Sequence, residues 1–252
     1  MLDRYLSYCR SVKNLSHNSI KSYKHDIQTF LDYLEKSGTN EENVDYRTVR
    51  GFLAELSREK LAVSTINRML SALRSYFDYQ ITYEKRTNNP FSKVRSLKKE
   101  EYLPDFFFEK EITALLHLPA DDYFGTRDRL ILELLYSTGC RVHELVSIDI
   151  QDVGLKEKSI RIMGKGKKER MVFIGREAFA ALENYMRIRK AHVNGGDHDA
   201  LNALFLNNRG RRLSVRGVFY IIRKYTTQLG LPKKISPHTF RHTFATHILD
   251  HG

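Results

Sequence analysis

Ser159-Ile160-Arg161-Ile162-Met163, Gly164-Lys165-Gly166-Lys167-Lys168-Glu169 and Arg170-Met171-Val172-Phe173-Ile174 follow one another without a break. Two short β-rich runs flank a turn rich in glycine and lysine, which predicts an antiparallel hairpin. Almost every other patterned stretch has helical spacing. The hairpin therefore decides the class, mainly α with a small antiparallel β-sheet. On its N-terminal side, helices are expected near 109–118 and 126–137. On its C-terminal side they are expected near 176–191, 214–228 and 237–250, the last opened by Ser236-Pro237. Residues 105–252 thus read as one α+β domain.

Residues 1–84 read as a separate four-helix domain. Ser16 is a candidate N-cap for a helix carrying Ile20, Tyr23, Ile27, Phe30, Leu31 and Leu34 on one face, and Gly38 closes it. Val49, Phe52, Leu53 and Leu56 mark the third helix. The fourth opens at Ser64 and carries Ile66, Met69, Leu70, Leu73, Tyr76 and Phe77. Residues 85–104 break the periodicity with Asn88-Asn89-Pro90, a basic cluster at Arg95, Lys98 and Lys99, and Leu103-Pro104, and read as a linker.

The 252-residue chain is long enough for two domains, and 41% apolar residues suffice for two cores. Its formal charge of +12 is unevenly spread. Residues 101–150 hold 4 Lys/Arg against 10 Asp/Glu, whereas 201–252 hold 9 against 1. Such segregation points to a one-sided basic face and a polyanionic partner, nucleic acid before membrane, since no lipidation motif or amphipathic membrane helix stands out. No apolar run reaches membrane-spanning length, no apolar leader precedes the first helix, and Cys9 and Cys140 show no pairing pattern. A cytoplasmic location is expected.

Three stretches carry the chemistry: Thr138-Gly139-Cys140-Arg141-Val142-His143-Glu144-Leu145, Gly164-Lys165-Gly166-Lys167-Lys168-Glu169-Arg170, and Pro237-His238-Thr239-Phe240-Arg241-His242. Arg141 follows a buried helix and is either a helix-terminus charge or an anion ligand. Glu144, three residues on, is placed to brace it. Lys165 stands between two glycines, where backbone can approach a ligand closely. His238 and Arg241 share a helical face near a helix start, a position that favours phosphate. Together these residues meet the separate needs of phosphoryl transfer: two forked arginines for the non-bridging oxygens, a lysine to protonate a leaving oxygen, and a histidine to exchange the attacking proton.

The three motifs, in this order and spacing, resemble those of the tyrosine recombinases, most closely the Xer type, and Ser64–Tyr79 resembles that family's core-binding domain. The resemblance implies a four-helix core-binding (SAM-like) domain and a catalytic domain closing on a double-stranded DNA recombination site. It implies strand exchange through a 3′-phosphotyrosyl intermediate, without metal or nucleotide cofactor, in a homo- or hetero-tetramer of protomers. Arg141 and Arg241 would clamp the phosphate, Lys165 would act as general acid, and His238 would assist proton transfer. The family's second His (or Trp) and its nucleophilic tyrosine have no counterpart among the residues after Arg241, the last tyrosine being Tyr225. The expectation is an incomplete catalytic domain unable to cleave alone, with a DNA-binding short form that competes with a full-length recombinase as the alternative. Type IB topoisomerases share the chemistry, but the compact N-terminal module argues against them.

Lys21, Lys24, Arg68 and Arg74 on the first domain, and Lys167, Lys168, Arg211 and Arg212 on the second, are the expected DNA contacts. The i,i+4 pairs His238/His242 and His247/His251 have zinc-helix spacing, but Thr239 stands where a zinc protease needs glutamate and Arg241 sets a cation beside the first pair. No metal is expected.

Overall fold

The computed structural model describes residues 1–98, 105–164, 168–193, 195, 197–231, 233 and 235–251. The chain forms two compact units, Met1–Tyr102 and Leu103–Gly252.

The first unit is four helices, α1 (Leu2–Ser11), α2 (His17–Lys36), α3 (Tyr46–Arg58) and α4 (Val63–Tyr83). Side-chain caps set two of the starts. The Ser16 hydroxyl accepts from the Ser19 N–H, and the Asp45 carboxylate accepts from the Thr48 N–H at 2.7 Å. Each helix turns its apolar stripe inward, so that Ile27, Phe30, Phe52, Leu73, Tyr76 and Phe77 form one core. Tyr23, Leu31 and Leu53 pack at its margin.

The stretch read as a linker behaves differently in its described part. Phe91 is fully buried in this core, edge-on to Phe30 and tilted against Phe77. Asn67 and Leu97 exchange a reciprocal pair of hydrogen bonds at 2.8 and 2.9 Å. Residues 86–97 are thus a strap on the first unit. A single aromatic in a polar, proline-containing run carries no periodicity, which is why the pattern conceals it.

The second unit is built around α6 (Tyr123–Thr138), which packs against α8 (Arg176–Arg189) and α11 (Pro237–His251). Helices α5 (Glu109–His117), α7 (Val142–Val146), α9 (His198–Asn202) and α10 (Val215–Gln228) complete it. The hairpin is present as β2 (Ser159–Met163) and β3 (Glu169–Phe173), with Ile162 opposite Arg170 and Ile160 opposite Val172. A two-residue strand, β1 (Val153–Gly154), adds an antiparallel third member on the β2 side. β1, α7 and α9 are too short to leave a periodic signal. Ile160, Ile162 and Val172 face the core to which α6 contributes Leu130, Ile131, Leu134 and Leu135. Among the described residues no helix is long and apolar enough to cross a membrane.

Candidate active site

Helix α6 stops at Gly139, which adopts the left-handed conformation at φ +56°. A Cβ there would lie 2.4 Å from Cδ1 of Phe244, so both the turn and the packing require glycine. The turn buries Cys140 and delivers Arg141 to the N-cap of α7. Glu144, at the third position of that helix, reaches back and accepts the Arg141 N–H at 2.8 Å. Its other oxygen accepts from Arg141 Nη1 at 2.9 Å. The Glu144 side chain is only 4% exposed, whereas that of Arg141 is 51% exposed and presents the rest of its guanidinium to solvent.

Glu144 serves a second arginine. Arg170, on β3, donates from Nη1 to Oε1 at 3.2 Å and from Nη2 to Oε2 at 2.7 Å. Burial alone would push the Glu144 carboxyl up. The hydrogen bonds from Arg170 and from the N–H and guanidinium of Arg141 outweigh it and hold the carboxyl down at about 2. Glu144 is therefore a fixed anion at neutral pH.

Helix α11 brings in the second phosphate-binding candidate. Its start is fixed by Ser236 and Thr239: the Ser236 N–H donates to Thr239 Oγ1 at 3.1 Å, and the Thr239 N–H donates to the Ser236 carbonyl at 2.9 Å. His238 lies exposed in the first turn. One turn on, Arg241 Nη1 donates to the Gly139 carbonyl at 2.6 Å. The helix is held along its length by Thr243, which accepts from the Phe107 N–H at 2.9 Å, and by Phe240, packed edge-on against Phe107. Further along, His247 Nε2 donates to the Phe107 carbonyl at 3.0 Å while Nδ1 meets the Tyr136 hydroxyl at 3.0 Å.

Arg141, Glu144 and Arg241 thus converge on the loop after α6. Lys165 and Lys167 lie outside the described residues. The root of their turn is described: the Gly164 N–H donates to the Lys168 carbonyl at 2.8 Å, and Lys168 is exposed. A Cβ on Gly164 would sit 3.4 Å from Arg170 Nη1, so the turn springs from directly beside the Arg170–Glu144 pair.

The expected DNA contacts divide. Lys21 and Lys24 are exposed on α2. Arg68 is partly exposed but tied to the fully buried Asp26. Arg211 is exposed and loosely paired with Asp197 at 3.8 Å. Arg74 and Arg212 are not solvent-facing cations. Arg74 donates to the Phe91 and Val94 carbonyls and so fastens the strap. Arg212 binds Asp199, Asp149 and the Val146 carbonyl, tying the end of α7 to α9. Both meet backbone or carboxylate partners distant in sequence, which spacing cannot reveal. Tyr225 is buried and donates to Asp128 at 3.1 Å.

Two further features escape the sequence reading. Arg170 shares the inward face of β3 with Val172, and a cation on the inward register of a strand was the available signal. On α10, Arg216, Tyr220 and Arg223 form an exposed stripe at helical spacing beside a groove of about 710 Å³ that also takes in Lys233 and Ser236.

Residues 105–252 match the phage integrase family, and residues 2–83 match the phage integrase N-terminal SAM-like domain. The chain belongs to the phage integrase family. Over 99% of its length it is 42% identical to the tyrosine recombinase XerC of Syntrophus aciditrophicus (strain SB), of which it covers 83%. It is 36% identical to the tyrosine recombinase XerC of Staphylococcus aureus (strain JH9), again over 99% of this chain and 83% of that one. Among solved structures, the whole chain superimposes on the XerH site-specific recombinase in its post-cleavage complex with a palindromic difH substrate, with a TM-score of 0.78, 21% identity and 74% of that chain covered. The Tn1549 transposon integrase in complex with circular intermediate DNA gives a TM-score of 0.78 at 20% identity, with 87% of that chain covered. These two likenesses establish the tyrosine recombinase fold, mainly helical with a small antiparallel sheet.

Proposed function

We propose that this chain acts in site-specific DNA recombination of the Xer type, binding a double-stranded recombination site in the cytoplasm and gripping one scissile phosphate between Arg141 and Arg241. The observation that carries the reading is the 2.6 Å bond from Arg241 to the Gly139 carbonyl, which joins the His-x-x-Arg helix to the loop of the other arginine. Two partly exposed guanidiniums beside one loop suit the two non-bridging oxygens of a phosphodiester. In this reading Lys165 protonates the leaving 5′-oxygen and His238 exchanges the attacking proton. The exposed Arg216–Tyr220–Arg223 stripe combines cations and an aromatic, a surface suited to a nucleic-acid backbone. The DNA complexes of the XerH and Tn1549 enzymes support a DNA partner. Further recombinase protomers on the same DNA complete the proposal.

The attacking group is not among these residues. Tyr225 is buried and bonded to Asp128, and no tyrosine follows it within the 252 residues. A positioned nucleophile is worth up to about 7–11 kcal/mol of effective molarity, so residues 1–252 alone should leave DNA uncut. The test is a nicked suicide duplex carrying a site recovered by selection against genomic fragments. Residues 1–252 should bind it and give no covalent band on a denaturing gel. The same residues extended with the segment of a XerC relative that carries the second His and the nucleophilic Tyr should give one, lost on changing that tyrosine to phenylalanine. A covalent adduct from residues 1–252 would overturn the assignment and direct attention to Tyr220. Failure of the extended protein to cleave would favour the competing short form.

A further inference from the structure

The Glu144 carboxylate lies between two guanidiniums, and the way it is shared is unequal. Arg170 meets it with two donors, one to each oxygen, in the forked arrangement that saturates a carboxylate. Arg141 meets it with one guanidinium nitrogen and its backbone N–H. One negative charge cannot neutralise two positive ones. Because Arg170 holds the forked position, the charge left over belongs to Arg141, which is the more exposed of the two.

We propose that Arg170 is a positioning residue: by occupying Glu144 it prevents that carboxylate from closing a two-pronged pair with Arg141, and so leaves the Arg141 charge uncompensated and aimed outward for a phosphate. The inference rests on the reading of Arg141 as a phosphate ligand. Remove Arg170, and the nearest cation for a buried carboxylate is Arg141 itself. Its guanidinium then turns inward, the charge of the cluster falls by one unit to neutrality, and the anion site weakens although none of its own ligands has changed. Gly164 lies against the Arg170–Glu144 pair, so Arg170 also stands at the root of the lysine turn.

The experiment uses the 252-residue chain, labelled on arginine side chains, and inorganic phosphate at constant ionic strength. Arg141 is assigned by the resonance missing in Arg141→Lys. In the unsubstituted chain the Arg141 signal should shift saturably with phosphate. In Arg170→Gln the affinity should drop about tenfold or more, the scale of one charged hydrogen-bonded contact. In Arg170→Gln/Glu144→Gln it should return to within about threefold of the starting value, because the competing charge is gone. Arg170→Lys, which keeps the charge with a single point of contact, should lose less than Arg170→Gln and serves if the glutamine variant does not fold. A merely structural arginine would change affinity only in step with the melting temperature, so loss and recovery that track folding stability overturn the proposal, as do loss without rescue and unchanged affinity in Arg170→Gln. An Arg141 signal indifferent to phosphate in the unsubstituted chain would instead remove the phosphate-ligand reading on which the proposal stands.

Discussion

Arg241 and Gly139 are 102 residues apart in the chain and joined by a 2.6 Å hydrogen bond from a guanidinium to a carbonyl. The acceptor sits at a left-handed helix terminus into which no side chain fits, since a Cβ would meet the ring of Phe244.

Gly139→Ala should therefore lower stability by about 2–5 kcal/mol, the sum of a left-handed alanine and an overpacked contact. Denaturant unfolding measures it. In a Phe244→Ala background the same change should cost less, leaving the backbone part alone. An equal cost in both backgrounds would show that the ring is not the obstacle.

The carboxyl of Glu144 is held at about 2 in the fold against an ordinary value of 4.5. With the folded value depressed, the unfolded chain takes up the proton first as pH falls. The stabilisation is present above about 4.5 and lost towards about 2. A shift of this size amounts to at most about 3 kcal/mol, reduced by the water that screens the half-exposed arginines. The loss of stability to urea between about pH 6 and pH 3 should be steeper for the unsubstituted chain than for Glu144→Gln. Parallel curves would refute the linkage.

Asp26 is fully buried, with one oxygen on Arg68 and the other, Oδ1, without a hydrogen-bond partner among the described residues. Burial raises its carboxyl, opposed by Arg68. The sign is opposite to that of Glu144: the contribution is fullest at acid pH and declines as pH rises from the ordinary carboxylate value to the raised folded one. Arg68→Met should cost about 3 kcal/mol at neutral pH by stranding the carboxylate, whereas Arg68→Met with Asp26→Leu should match or exceed the original stability. Thermal melts of the single and double variants decide it.

If DNA binding proceeds as proposed, Lys21 and Lys24 face phosphates with no helical core role to lose. Lys21→Ala and Lys24→Ala should each flatten the log–log salt dependence of duplex affinity by about 0.9 while leaving the melting temperature unchanged. A slope that does not move removes that lysine from the interface.

Helices and core were largely legible, because the stripes of α2 to α4 and the hairpin repeat with the period of their structure. Ser16 and Ser236-Pro237 marked their helix starts for the same local reason. What stayed hidden depends on partners far along the chain. Arg74 looked like a surface cation until Phe91 and Val94 supplied carbonyls for it. Arg212 likewise answers to Asp149, 63 positions away. Arg141, His238 and Arg241 could be named from their motifs. Arg170 closes the lysine-turn motif, but no role could be read for it there, since its importance arises from facing Glu144 across the fold.

Along its inward side α11 buries Thr239, Phe240 and Thr243 where most helices would set leucines. Greasy surfaces tolerate sliding, because one methyl is much like the next. Directional bonds do not: the Thr243 hydroxyl meets one amide and the His247 ring one carbonyl, both on Phe107. A slip of one residue would rotate the helix by about 100° and advance it by about 1.5 Å, and every one of those bonds would break together. The helix behaves as a key cut for a single lock position, and Arg241 inherits that accuracy from threonines that a hydropathy profile scores as nothing.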